Sequence, residues 1–187
     1  MVKQNTCVFI SGQGSNLKNL ILRSRDKSFP INIKLIITNN RSAYGIIYAK
    51  KNSIPYIILN TKLRNYENIL LQILKKNKIS FICLAGYMKI ISKNFIEKFG
   101  KKIINIHPSL LPKFKGLDIF SRVIKNKEKK TGCTVHFVND KLDSGQIIVQ
   151  KGFFVSLNDN EETLKWKTQK LEYQVYPEAI IKIFRNN

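Results

Sequence analysis

Cysteine is scarce. Cys7, Cys83 and Cys133 make an odd set of three in 187 residues, with no CxxC pair to ligate zinc. Each sits among strand-forming apolar neighbours, so buried thiols in a reducing cytoplasm are expected, not a disulfide framework or a metal site. Long apolar runs are missing too: Val8–Ile10 and Ile82–Leu84 fall far short of the roughly 20 residues that span a bilayer. The opening Met1-Val2-Lys3-Gln4-Asn5 leads directly into a strand-like segment without signal-peptide character. There is no internal repeat and no Pro/Ser-rich linker, so residues 1–187 read as a single domain. Acidic residues number only 12 against 33 Lys and Arg.

The resulting net charge of +21 invites a nucleic-acid reading, because clustered cations release counterions from phosphate backbones. Composition argues for a simpler cause. Lys appears 27 times and Arg 6; Ile appears 28 times, Asn 19 and Ala 4, the signature of an AT-rich coding sequence. The lysines are also scattered along the chain. No nucleic-acid partner is therefore expected, and the positive field serves at most to attract small anionic substrates.

The order of elements alternates. Strands are predicted over 6–11, 33–38, 56–59, 81–85, 103–107, 134–138 and 146–155. Helices are predicted over 16–23, 43–51, 66–76 and 93–99, with a closing helix over 161–184 bent or broken at Pro177. This rhythm predicts an α/β protein with a mostly parallel sheet covered on both faces, and ligands beyond the carboxyl ends of its strands.

Three such strand ends carry chemistry. Ser11-Gly12-Gln13-Gly14-Ser15-Asn16 joins the first strand to the first helix, and its glycines and helix-start amides suit a phosphate. It fits neither the dinucleotide fingerprint nor the Walker loop; a plain turn and cap is the alternative. Asn105 and His107 project to one side of the fifth strand, where an amide donor and an imidazole can hold a carbonyl oxygen that becomes an oxyanion. Asp143, in the turn after the sixth strand, can approach His107 and orient it; a turn aspartate bonding its own backbone is the alternative. His136, in mid-strand, suits a supporting role.

In order along the chain, Gly12-Gln13-Gly14-Ser15-Asn16-Leu17, Leu84-Ala85-Gly86-Tyr87-Met88, Asn105-Ile106-His107-Pro108-Ser109-Leu110-Leu111-Pro112, Gly132–Val138 and Leu142–Ile148 resemble the phosphoribosylglycinamide formyltransferases. These are the glycinamide ribonucleotide branch of the folate-dependent formyltransferases, and the resemblance covers essentially the whole chain. It implies a single-domain Rossmann-like formyltransferase fold, a mostly parallel twisted sheet with helices on both faces. It also implies direct formyl transfer from 10-formyltetrahydrofolate to the amine of glycinamide ribonucleotide, in the cytoplasm, without a metal or a covalent enzyme intermediate. Asn105, His107 and Asp143 match the catalytic trio. Asn105 and a protonated His107 would stabilise the oxyanion; Asp143, through a water, would keep the imidazole charged and help move the proton. Gly14, Ser15 and Asn16 match the ribose-phosphate site, and Gln169 and Glu172 the remaining nucleotide contacts. The folate site falls on Arg64, Met88, Lys89, Ile90, Ile91 and Asn105.

Departures are visible. Arg64 is offset by a residue from the family's arginine, and Lys89 stands where an arginine is usual. Lys115 replaces a proline, Asp118 and Phe120 replace histidines, and the chain stops soon after its last helix. A methionyl-tRNA formyltransferase or a formyl-folate hydrolase would want a further domain, for which no sequence is left. A basic nucleic-acid-binding protein on the same fold is the rival from another class. The small-molecule reading implies no membrane partner, and a monomer or weak homodimer.

Overall fold

The computed structural model describes residues 2–185. The chain is α/β, with seven strands in a mostly parallel sheet, and it divides into two compact units, Met1–Ile104 and Asn105–Asn187.

The first unit holds β1 (Gln4–Ile10), α1 (Ser15–Ser24), β2 (Ile31–Thr38), α2 (Ile46–Lys51), β3 (Tyr56–Ile58), α3 (Tyr66–Lys76), β4 (Phe81–Leu84) and α4 (Lys93–Phe99). Its strands lie in the order β3-β2-β1-β4, and each neighbouring pair runs parallel. Cys7, Val8, Phe9 and Ile10 are wholly buried. A strand covered on both faces has no reason to alternate apolar with polar residues, which is why β1 reads as a continuous apolar run. The helices show the complementary pattern. Leu17, Leu20 and Ile21 form the buried stripe of α1, and Leu70 and Leu74, one turn apart, that of α3. Helix α2 starts at Ile46, three residues later than predicted. Ahead of it, the Gly45 amide donates to the Gly12 carbonyl at 3.0 Å, which ties this stretch to the loop after β1.

The second unit contributes β5 (Ile103–His107), which begins just ahead of the boundary, followed by α5 (Ile119–Lys125), β6 (Lys130–Phe137), β7 (Ile147–Phe154) and α6 (Glu161–Arg185). β6 and β7 pair antiparallel, so the last strand departs from the parallel pattern. Two readings are corrected here. A seven-residue helix, α5, occupies a segment read only as lysine-rich: Ile119 and Val123 bury one turn apart against Leu164, with Phe114 and Phe120 packed beside them. Helix α6 also continues through Pro177, so of the expected bend or break the break does not occur. Val175, Tyr176, Pro177, Ala179 and Ile180 are all buried, and burial at about 25 cal/mol per Å² of apolar surface outweighs the missing backbone donor. Asn186 and Asn187, where the short tail was noted, lie outside the described residues.

Candidate active site

In the second unit, two strand ends and a turn bring four polar side chains together. β5 delivers Asn105 and His107 on one face, as its two-residue period requires. Asp143, in the turn between β6 and β7, places Oδ2 at 3.3 Å from His107 Nδ1; the side chains are only 6% and 7% exposed. His136 of β6 stands on the other side of the carboxylate, its Nε2 at 3.7 Å from Asp143 Oδ1. The same Nε2 lies 3.3 Å from Asn105 Nδ2. The result is a chain of contacts, Asn105–His136–Asp143–His107, in which all but the half-buried Asn105 are buried.

Backbone groups complete it. His107 Nε2 faces the Phe114 carbonyl at 2.8 Å, and the Gly116 amide donates to Asp143 Oδ2 at 2.9 Å. His136 Nδ1 faces the Phe137 carbonyl at 2.8 Å. Beneath them, the turn after His107 is anchored through Thr134. Its hydroxyl donates to the Ser109 carbonyl at 2.7 Å and accepts from the Leu111 amide at 3.2 Å and from Gln150 Nε2 at 2.8 Å. The Ser109 hydroxyl donates to the Lys113 carbonyl at 2.6 Å. A segment held at this many points presents the Phe114 carbonyl in a fixed place.

These partners decide protons. A carbonyl can only accept, so His107 donates Nε2–H to Phe114, and in the neutral ring Nδ1 carries the lone pair. That lone pair faces a carboxylate. A proton taken up at Nδ1 converts the repulsion into a charge-assisted contact. Burial works against the charge and prevails, holding His107 below the ordinary histidine value of 6.5 despite the Phe114 carbonyl and Asp143; His136 and Arg122 add to the depression. Burial alone would push Asp143 up, but His136, the Gly116 amide and His107 together hold its carboxyl below the usual 3.8. Burial thus favours a neutral ring beside the anion, while the Phe114 carbonyl and Asp143 favour the charged one. Asp143 meets the ring directly in this structure. The Phe137 carbonyl likewise accepts the Nδ1–H of His136, and Asn105 Nδ2, 3.3 Å from Nε2 of that ring, keeps a second amide hydrogen for other work.

Three partners escaped the sequence reading: Phe114, Gly116 and Arg122. Arg122 Nη1 donates to the carbonyls of Lys115 at 2.7 Å and Leu117 at 3.2 Å. Of the residues that depart from the family pattern, Lys115 donates from Nζ to Ser144 Oγ, next to Asp143. Asp118 takes a left-handed backbone at the start of α5, and Phe120 packs on the α5 cluster. On α6, Glu172 is 9% exposed and Gln169 half-buried.

The first unit carries the loop after β1. Gly14 has φ 71°, and a Cβ there would sit 2.6 Å from the Gly45 Cα, so only glycine fits. Ser15 opens α1, with Gly14 and Asn16 buried on either side of it. Ser11 ties this loop to its neighbours: its hydroxyl donates to Asn39 Oδ1 at 2.6 Å and accepts from the Met88 amide at 2.8 Å. Met88 and Ile90 are thereby displayed beyond β4 with 70% and 69% of their surface exposed, and Lys89 is exposed between them. Ile91 is only 8% exposed, so its side chain belongs to the core and not to an apolar clamp. Arg64 is exposed ahead of α3.

An α/β sheet whose fifth strand ends in a half-buried asparagine and a buried histidine, completed by an aspartate from a later turn, is the arrangement of a group-transfer enzyme. The formyl transferase family pattern matches residues 4–180, and the chain belongs to that family. Within it, the phosphoribosylglycinamide formyltransferase of Haemophilus influenzae is 39% identical over 183 residues, covering 95% of this chain and 85% of that one. The bovine trifunctional purine biosynthetic protein adenosine-3 is 38% identical over 182 residues, 95% of this chain but 18% of its own length. The crystal structure of phosphoribosylglycinamide formyltransferase from Anaplasma phagocytophilum superposes with a TM-score of 0.91 at 35% identity, covering 98% of this chain and 88% of that one.

Proposed function

We propose that the chain transfers the formyl group of 10-formyltetrahydrofolate to the amine of glycinamide ribonucleotide, giving formylglycinamide ribonucleotide for purine synthesis. The observation that carries this reading is the buried His107–Asp143 contact beside Asn105, in a chain that matches the formyl transferase family over residues 4–180.

The residues divide the work as follows. An amine of this kind has a pKa of about 8, so a useful fraction is neutral near pH 7. When that amine attacks the formyl carbon, Asn105 offers its second amide hydrogen to the oxygen on which charge develops. His107, neutral at rest, takes the proton the amine gives up. Asp143 then faces an imidazolium, and the proton passes on to the folate nitrogen as the carbon–nitrogen bond to it breaks. One N–C bond forms, one breaks, and a single proton moves from amine to leaving nitrogen. No side chain is acylated.

Gly14, Ser15 and Asn16 hold the ribose phosphate, using the amides at the start of α1. Gln169 and Glu172, one helical turn apart on α6, take the remaining polar groups of the ribonucleotide. Met88 and Ile90 supply exposed apolar surface suited to a flat pterin, Lys89 and the Ile91 backbone flank them, and Arg64 faces the folate carboxylates. Both units work as one formyltransferase domain, in the cytoplasm, on small-molecule partners, as a monomer or weak homodimer. Among the described residues, no helix is long and apolar enough to cross a membrane, and no group of three or more His, Cys, Asp or Glu side chains is placed to hold a metal ion.

Steady-state formyl transfer with both substrates tests the proposal. Wild type turns over, and His107→Ala, folded by circular dichroism, loses on the order of 10³-fold or more in kcat. Salt-dependent RNA binding without turnover would favour the nucleic-acid rival.

A further inference from the structure

The mechanism leaves one cation near the cluster unused. Arg122 lies in the last turn of α5. Its guanidinium is committed to the loop before it: one nitrogen bonds the Lys115 and Leu117 carbonyls, and Cζ sits 5.2 Å from the centre of the Phe114 ring. That same short loop makes the two backbone contacts that orient the catalytic pair, through the Phe114 carbonyl and the Gly116 amide. Phe114 and Gly116 both adopt positive φ, 55° and 79°. For Phe114 that backbone is intrinsically unfavourable by about 1 kcal/mol or more, so something must hold it.

We propose that Arg122 is a positioning residue for the transfer reaction: by gripping the Lys115 and Leu117 carbonyls and covering the Phe114 ring, it presents the Phe114 carbonyl to His107 and the Gly116 amide to Asp143. Arg122 touches neither histidine nor carboxylate through these bonds; it acts through the loop. The proposal rests on the formyl-transfer reading for its kinetic arm only.

Removing Arg122 has two opposite effects on His107, whose other charged or titratable neighbours are Asp143 and His136. Loss of a nearby cation favours the imidazolium. Loss of the Phe114 carbonyl, a stronger influence, disfavours it. With only two histidines in the chain, their imidazole signals can be followed separately by NMR titration.

If Arg122 positions the loop, Arg122→Gln lowers the His107 pKa, and kcat falls about tenfold while both KM values stay within about twofold. Arg122→Lys keeps the charge but not the planar grip, so it moves both observables the same way by less; a purely electrostatic role leaves it at wild type. The pKa fall and the kcat loss together support the proposal. A His107 pKa that holds or rises, or a kcat within twofold of wild type, overturns it. Should Arg122→Gln fail to fold in a thermal melt, Arg122→Lys is read on the same two observables. Absence of wild-type turnover would count against the formyl-transfer reading instead, and the titration would still decide the role of Arg122 in the loop.

Discussion

The loop after β1 and the cluster after β5 are built in opposite ways. The β1 loop, Ser11 to Asn16, contains no titratable side chain, and what it offers is backbone: a left-handed glycine, helix-start amides and close approach to Gly45. The cluster consists almost entirely of side chains that donate, accept or ionise, and its backbone contacts serve to aim them. A site of the first kind recognises a fixed charge. One of the second kind accommodates a charge that changes during the reaction. Substitutions should therefore separate, with binding lost in the loop and rate lost in the cluster.

Asn105→Ala gives the largest separation. It removes an amide hydrogen from the developing oxyanion and one partner of His136, and kcat is expected to fall on the order of a hundredfold. The KM for glycinamide ribonucleotide should stay nearly unchanged in the same steady-state assay. A loss confined to KM would place Asn105 among the binding groups and erase the contrast.

Gly14→Ala is the converse experiment. The added methyl meets the Gly45 Cα at 2.6 Å in a backbone that disfavours any side chain, so the loop must open. Expected are a stability loss of about 1–3 kcal/mol in urea unfolding and a KM for the ribonucleotide raised about tenfold, with kcat within about twofold. A variant with intact KM and reduced kcat would mean that the loop does not hold the phosphate.

Much of this was legible from residue order, and the limits are physical. The two-residue period of β5 places Asn105 and His107 on one side without any knowledge of the fold. Their meeting with Asp143, 36 positions after His107, has no local signal; it was legible only from strand ends converging at one sheet edge and from the family resemblance. The loop that aims the pair was harder still. Phe114 and Asp118 adopt positive φ, which sequence announces at glycine but not at phenylalanine or aspartate. Helix α5 spans only seven residues among lysines, too short for its 3.6-residue period to stand out. The direction of the His107 shift has no signal in the sequence either, because the burial that sets it depends on everything packed around the ring.

That shift sharpens the contrast between the regions a last time, on a smaller scale. The His107 pKa is lower in the folded protein than its ordinary 6.5, so the unfolded chain binds a proton that the folded one refuses. Stability therefore falls as pH drops from about 6.5 toward the folded value. Asp143, also depressed, adds its loss only lower down, below its ordinary 3.8. In urea titrations between pH 7 and pH 5, wild type should lose more stability than His107→Asn, which has nothing to protonate there. Gly14→Ala, starting from a lower stability, should decline with the wild-type slope, because the loop it disturbs holds no proton. Equal slopes for wild type and His107→Asn would mean that the buried imidazole takes its proton in the folded state as readily as in water, so that burial does not set its charge.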